Sequence, residues 1–257
     1  MTREELYRKG EEMRRQLGLA PRPTPSPMAS VPGMQRFTTE AVFGGIWGRP
    51  GLDLRYRVLT TLSVLTVLQR LPQLRTYINS ALTIGMSPRE LQEVFIQGGL
   101  YAGFPTAVNS LGVAQEIFQE RGISVPPAEV PEVSLEELER RGRARRQELM
   151  GGGGQEGYTA AAAELAPDLS RFVYQYGYGE VWYRPGLDPK SRVVVTIAAF
   201  TALGREPQLK NFLMAARNVG FSQGEVMEIL MHTAPYAGIP AALNAVALAQ
   251  PLFAHAT

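Results

Sequence analysis

Two stretches of the chain run apolar over the length of a helix, broken between the first turn and the last residue only by serine and threonine. Arg55 to Gln69 and Lys190 to Leu203 lack both the alternation of a half-buried strand and paired turn signals, so each reads as a central helix buried on all sides. The β-branched run Val193-Val194-Val195-Thr196-Ile197 argues for a strand, but without alternation it is the weaker argument. Asp53 and Asp188 stand where N-caps belong, with Pro189 at a first-turn position. Further on, Ser87-Pro88-Arg89-Glu90 and Ser222-Gln223-Gly224-Glu225 have the S-x-x-E form of a capping box. Each follows a glycine, Gly85 or Gly220, suited to ending the preceding helix. Two further helices follow in each half.

The two halves are one unit written twice. Trp47-Gly48-Arg49-Pro50-Gly51-Leu52-Asp53 recurs as Trp182-Tyr183-Arg184-Pro185-Gly186-Leu187-Asp188, a shift of 135 residues. At the same shift Arg57 meets Arg192, Pro72-Gln73-Leu74 meets Pro207-Gln208-Leu209, Tyr101-Ala102-Gly103 meets Tyr236-Ala237-Gly238, and Asn109 meets Asn244. Residues 36–118 and 171–253 agree at 32 of 83 positions without a gap, which chance composition does not give. Upstream, Glu5 to Gly10 echoes Glu137 to Gly142 at a shift of 132, and Arg14-Arg15-Gln16 echoes Arg145-Arg146-Gln147 at 131. Gly122 to Ser134 reads as a linker ending in a capping box, Ser134-Leu135-Glu136-Glu137. Pro21 to Pro32 and Gly151 to Gly154 read as loops joining a charged leading helix to each bundle. The expected organisation is a first unit at 1–122, a linker at 123–133 and a second unit at 134–257.

Composition removes several classes of function. The 257 residues include no cysteine, so thiol chemistry, disulfides and Cys-ligated zinc or iron–sulfur centres are out. The 26 basic and 24 acidic residues are spread along the chain, which argues against a nucleic-acid partner. The longest strongly apolar run, Val193 to Leu203, is too short to cross a membrane and the N-terminus is charged, so a cytoplasmic protein without membrane contact is expected. Of two histidines only His232 is well placed, with no second one near it for a metal shell, and Gly151 to Gly154 lacks the spacing of a phosphate loop. Neither a metal nor a nucleotide is expected.

Candidate chemistry lies on the helix after each serine cap. Glu93, Gln97 and Tyr101 form a polar stripe at i, i+4 and i+8, and Glu228, His232 and Tyr236 form its counterpart. Residues four apart are neighbours on a helix, so Glu228 can orient His232, whose ordinary pKa suits proton transfer at neutral pH. The plain alternative is a solvated helix face or a satisfied core pair. Arg57 and Arg192 lie one turn into apolar helices and need an anion, either a structural carboxylate or that of a substrate. Arg49 and Arg184 read as holding their turns through a carboxylate or carbonyl. Trp47 and Trp182 read as core or interface anchors before substrate platforms, and His255 as a frayed terminal residue.

The string W-x-R-P-G-L-D-x-x-x-R, a long apolar helix, P-Q-L, a glycine, S-x-x-E-x-x-E and Y-A-G-x-P-x-A-x-N, present in both halves, resembles the carboxymuconolactone decarboxylase family of the AhpD-like superfamily. The resemblance implies an all-α fold, a tandem duplication of a bundle of about six helices. It also implies cofactor-free decarboxylation of a small lactone carboxylate, and a trimer of two-unit chains resembling a hexamer of single units. The C-x-x-C pair of the superfamily's thiol peroxidases is missing. Where the decarboxylases read E-L-x-x-H, this chain has Gln73-Leu74-Arg75-Thr76-Tyr77 and Gln208-Leu209-Lys210-Asn211-Phe212. Two readings stand. In one, an enzyme acts on a small carbonyl or lactone compound by decarboxylation, isomerisation or cyclisation. Its acid/base groups are His232 and Glu228, with Glu93 as the counterpart, and Tyr101 and Tyr236 donate to a developing enolate; Arg57, Arg192, Tyr77, Gln97, Trp47 and Trp182 contact the substrate. In the other, a non-catalytic binding or assembly protein keeps the fold, the stripes meeting across the two copies.

Overall fold

The computed structural model describes residues 1–19, 27–127, 132–151 and 157–253, and among these there are helices and no strands. Half of the expected Pro21 to Pro32 loop, most of the Gly151 to Gly154 loop, part of the Gly122 to Ser134 linker, and His255 lie outside the described residues. The first unit holds α1 (Arg3–Gln16), α2 (Met34–Thr38), a π-helical segment (Thr39–Trp47), α3 (Leu54–Val67), α4 (Leu71–Thr83), α5 (Pro88–Ala102) and α6 (Phe104–Glu120). The second repeats the order with α7 (Leu135–Met150), α8 (Gly157–Leu165), α9 (Pro167–Phe172), a π segment (Val173–Glu180), α10 (Pro189–Leu203), α11 (Glu206–Asn218), α12 (Gln223–His232), α13 (Ala234–Ala237) and α14 (Ile239–Phe253). No helix among the described residues is long and apolar enough to cross a membrane.

Local chemistry sets these limits much as the sequence suggests. Asp53 accepts from the Arg55 amide and Asp188 from the Ser191 amide, starting α3 and α10. Ser87 with Glu90 and Ser222 with Glu225 close full capping boxes, and Gly85 and Gly220 take the positive φ that lets α4 and α11 end. Ser134 departs from its expected box. Its hydroxyl accepts from the Glu137 amide, but the Glu137 carboxylate turns outward to Arg140, so only half the motif forms. The second helical stripe is also interrupted: Pro235, which has no N–H to donate, stands where the first unit has Leu100, and α12 stops at His232 before the short α13 carries Tyr236.

The two central helices cross at the middle, nearly every residue buried, with Ser63 Oγ donating to the Val195 carbonyl at 2.6 Å. Around them the units interleave. Helix α5 packs on α10 as well as on its own α3, and α12 packs on α3 as well as on α10, so each capped helix serves the other half of the chain. Each unit's leading helix lies against its π segment through a pair of glycines. A Cβ on Gly10 would run into the Thr39 carbonyl and one on Gly44 into that of Leu6; Gly142 and Gly179 stand in the same way against Tyr174 and Leu138. These contacts fix the upstream register at 132. Because α1 and α7 are continuous, the register cannot slip within them, so Arg14 corresponds to Arg146 and not, as the sequence echo suggested, to Arg145.

Adding a methyl group at these approaches should be costly. Gly10→Ala and Gly142→Ala should each lower stability by about 2–4 kcal/mol in denaturant titrations, since backbone must move apart. Gly112→Ala in α6, where a Cβ meets nothing within 4 Å, should instead gain up to about 1 kcal/mol from helix propensity.

Candidate functional site

The crossing of capped and central helices brings together two related clusters. In the second, Glu93 of α5 meets Arg192 of α10: Nη2 donates to Oε2 at 3.0 Å, and both side chains are fully buried. Arg184, from the turn before α10, donates to the same carboxylate from 3.0 Å. In the first, Glu228 of α12 takes Arg57 of α3 at 3.0 Å and both donors of Arg49 at 2.7 and 3.0 Å. The open question over Arg57 and Arg192 is therefore answered by structural carboxylates, each supplied by the other unit. Arg49 and Arg184 hold their turns in the same way. Desolvation raises the Glu228 pKa, but the hydrogen bonds from Arg49 and Arg57 together bring it below the ordinary carboxylate value.

From each arginine a hydrogen-bonded chain runs to a tyrosine, and its polarity is forced because a guanidinium only donates. Arg192 Nη1 donates to Gln97 Oε1 at 2.9 Å, leaving the amide nitrogen to donate to the Tyr101 hydroxyl at 2.7 Å. Tyr101 lies 2.8 Å from Thr196 Oγ1, whose own proton goes to the Arg192 carbonyl, so Tyr101 is the donor there. Burial pushes its pKa up to about 12. In the first cluster Arg57 Nη1 lies 3.4 Å from His232 Nδ1, and Thr61 Oγ1 lies 3.1 Å from Nε2. His232 is thus the neutral Nε2–H tautomer.

This arrangement corrects the expected Glu228–His232 partnership. Both oxygens of Glu228 face arginines, and it is Arg57 that reaches the imidazole. The ring is fully buried with its edge against Trp47, and desolvation first, then the Arg57 charge, hold its pKa well below 6.5. Tyr236 accepts from Trp47 Nε1 at 2.7 Å and lies 2.5 Å from the Tyr77 hydroxyl, while Tyr77 stacks on Trp47. The stripe is a packed polar core.

The second cluster instead borders open space. A chamber of about 490 Å³ is walled by Trp182, Phe200, Phe212, Tyr174 and Tyr178, with Arg146, Arg205 and Gln208 among its polar groups. Leu100 and Tyr101 enter it from the first unit. Of the residues expected to act, only Tyr101 and Trp182 line it; Glu93, Gln97 and Arg192 stand behind Tyr101, and His232, Glu228, Tyr236, Tyr77, Trp47 and Arg57 belong to the other cluster. Sequence reasoning missed Arg146, Arg205 and the tyrosines. It did single out Gln208 and Phe212, as the places where the E-L-x-x-H pattern is lost. Among the described residues no group of three His, Asp or Glu side chains could hold a metal ion.

A model of the carboxymuconolactone decarboxylase family matches residues 32–116 and 167–251, more than half of the chain, and the chain belongs to that family. The 4-carboxymuconolactone decarboxylase of Acinetobacter baylyi is 42% identical over 86 residues, 34% of this chain and 64% of that protein. The nitrosuccinic acid decarboxylase of Metarhizium robertsii is 28% identical over 86 residues, 34% of this chain and 60% of that one. A solved chain from Burkholderia xenovorans, provisionally assigned as a gamma-carboxymuconolactone decarboxylase subunit, covers 98% of both chains with a TM-score of 0.61 and 23% identity, and so shares the two-unit fold.

The buried imidazole has a consequence for stability. Its folded pKa lies below the unfolded value of 6.5, so below that pH the unfolded chain takes up a proton that the folded one refuses. Its contribution is complete above pH 6.5 and lost as pH falls, at up to about 1.4 kcal/mol per pH unit. Denaturant titrations should show that slope between pH 6.5 and 5, and His232→Gln should remove it. The protein should still fold, since Gln97 fills the equivalent place with its carbonyl facing Arg192.

Proposed function

We propose that the protein is a decarboxylase-family enzyme working in one chamber per chain, that of the second unit, on a compact and mainly apolar carbonyl or lactone compound. The observation that carries this reading is the Tyr101 side chain, which the first unit contributes to the wall of a chamber of about 490 Å³, a volume suited to a small molecule. With its pKa near 12 the phenol stays protonated at neutral pH and serves as donor rather than base. Among the described residues that line the chamber there is no carboxylate or imidazole. A reaction that must begin by removing a proton from carbon lacks its base there, which disfavours isomerisation and enolate-driven cyclisation.

Decarboxylation needs no such base. The C–C bond to the carboxylate breaks and carbon dioxide leaves. The electron pair moves onto the adjoining carbonyl, whose oxygen takes a hydrogen bond from Tyr101, and a proton from the phenol then quenches the enolate carbon before solvent restores it. Thr196 Oγ1 keeps Gln97 Nε2 as a neighbour at 3.4 Å when Tyr101 turns away. An apolar wall favours loss of a poorly solvated carboxylate. The names of two relatives, both decarboxylases, agree with this choice. In this reading Glu228, His232, Tyr236, Tyr77, Trp47 and Arg57 brace the bundle, while Glu93, Arg192 and Gln97 position Tyr101. A non-catalytic binding role is the second reading, favoured by the neutral Gln208 and Phe212 at the family's acid and histidine positions.

Carbon dioxide release from a panel of small β-keto and unsaturated lactone acids separates the two. Turnover by the wild type, with Tyr101→Phe lowering kcat about 100-fold at similar KM, supports the enzyme. Binding without release, or a Tyr101→Phe variant as fast as the wild type, overturns it.

The chain is further proposed to form a homotrimer. Phe104 and Val108 at the start of α6 are 55% and 66% exposed, and their counterparts Ile239 and Leu243 on α14 are 66% and 63% exposed, so the same apolar pair stands uncovered twice. Light scattering should give a trimer mass, and Phe104→Ser with Ile239→Ser should shift it to the monomer. A wild-type monomer at micromolar concentration would end this assembly proposal.

A further inference from the structure

Most arginines of this protein are occupied among the described residues; the two that line the chamber are not, and neither is Arg70, the counterpart of Arg205. The guanidiniums of Arg146 and Arg205 make no ion pair or hydrogen bond with a described residue, in a chamber otherwise lined largely by aromatic rings. The repeat makes the case of Arg146 sharper. Its counterpart Arg14 donates to Thr39 Oγ1 at 3.2 Å, lies 3.7 Å from Glu11 and rests over the Phe43 ring. In the second unit each of those partners has changed. Thr39 is replaced by Tyr174, Phe43 by Tyr178, and Glu11 by Arg143, which reverses the local charge and turns to Glu139 instead. The same helical position thus carries a satisfied cation in one unit and an unsatisfied one at the edge of a chamber in the other.

An apolar chamber bordered by two guanidiniums that no described residue engages selects an amphiphilic anion. We propose that the ligand carries a carboxylate that takes no part in the reaction, held by Arg146 and Arg205, while its apolar body lies along Trp182, Phe200 and Phe212 toward Tyr101. This rests on the reading of the chamber as the working site and adds the chemistry of its ligand. A guanidinium suits the task because its planar fork matches a carboxylate and its charge survives partial burial. Placing the anion at the arginines leaves the far end of the ligand, beside the phenol, free of a competing cation. A carboxylate gripped by arginine would resist leaving as carbon dioxide, so the held group and the reacting one must differ.

The test is a comparison of acid with amide on the intact chain. Benzoate, phenylacetate and 3-phenylpropanoate are titrated against the protein by calorimetry, each beside its primary amide, with the wild type, Arg146→Gln with Arg205→Gln, and Arg70→Gln, the first-unit counterpart of Arg205. The expected result is that at least one acid binds about tenfold or more tightly than its amide, as a charge-assisted contact predicts. That preference should shrink with added salt and disappear in the double variant, with amide affinity unchanged and Arg70→Gln behaving as wild type. If acid and amide bind alike to the wild type, the carboxylate inference fails and the chamber stands as a site for neutral ligands. An acid preference that survives the double variant also overturns it. If no acid or amide binds, the chamber reading falls and the inference with it.

Discussion

The Glu93–Arg192 and Glu228–Arg57 pairs are the contacts around which the rest of the molecule is arranged. Each joins a carboxylate from one unit to a guanidinium at the heart of the other, and three of the four side chains are almost wholly buried. Burying such groups costs several kcal/mol apiece, and that cost is offset only while both partners are present with their remaining hydrogen bonds made. The backbone carbonyls of Arg49 and Arg184, the second arginines and the polar chains to Tyr101 and Tyr236 supply those bonds. Either unit drawn away from the other would leave an uncompensated charge in an apolar helix. The duplication is therefore one cooperative body whose two halves complete each other's interiors, more than two beads on a string.

Once the ion pairs are fixed, what lies beyond them can vary. At the position one turn along the capped helix the first cluster has His232 and the second Gln97, and both accept from an arginine. Beyond that, Tyr77 brings a hydroxyl against Tyr236, whereas Phe212 has none to offer Tyr101. With that oxygen missing, the second cluster's tyrosine, Tyr101, bonds with Thr196 and borders a chamber. The freed Arg146 belongs to the same divergence. A repeat with identical ion pairs can in this way keep one half as a brace and leave the other to meet a ligand.

Much of this was legible in the residues. The runs at Val58–Val67 and Val193–Thr201, apolar but for serine and threonine and without alternation, read as central helices, and the serine and aspartate caps act where the spacing put them. The duplication followed from the string at Trp47–Asp53 recurring at Trp182–Asp188 and from the constant shift beyond it. The i, i+4 rule, in contrast, misled at Glu228 and His232. It describes neighbours on a free helix surface, and here the opposing helix brought Arg57, a stronger partner for the carboxylate, from 171 residues away in sequence. The chamber was invisible for a related reason. Its walls come from six helical segments of one unit, with Trp182 and Arg205 between them, and from Leu100 and Tyr101 of the other, and no local period encodes an empty volume. Only the comparison of Arg14 with Arg146, once a continuous helix had fixed their register, ties that space to the sequence.

The two histidine-like positions also show why a lone titratable residue is weak evidence for acid/base chemistry. His232 appeared to be the natural base because its ordinary pKa lies near neutrality. A base, however, needs a lone pair that faces the substrate. At His232 the Nδ1 lone pair is directed at Arg57 and the Nε2 proton at Thr61, so the ring has neither an acceptor nor a donor to spare. Tyr101, which ordinary pKa values would pass over, ends a chain that begins at an arginine and passes through an amide. Its hydroxyl accepts from Gln97 and donates to Thr196, so it is as fully bonded as the ring of His232, but its side chain lines open space while the imidazole is wholly buried. Each group hands its proton to a threonine, and what separates the two clusters is the chamber that one of them borders.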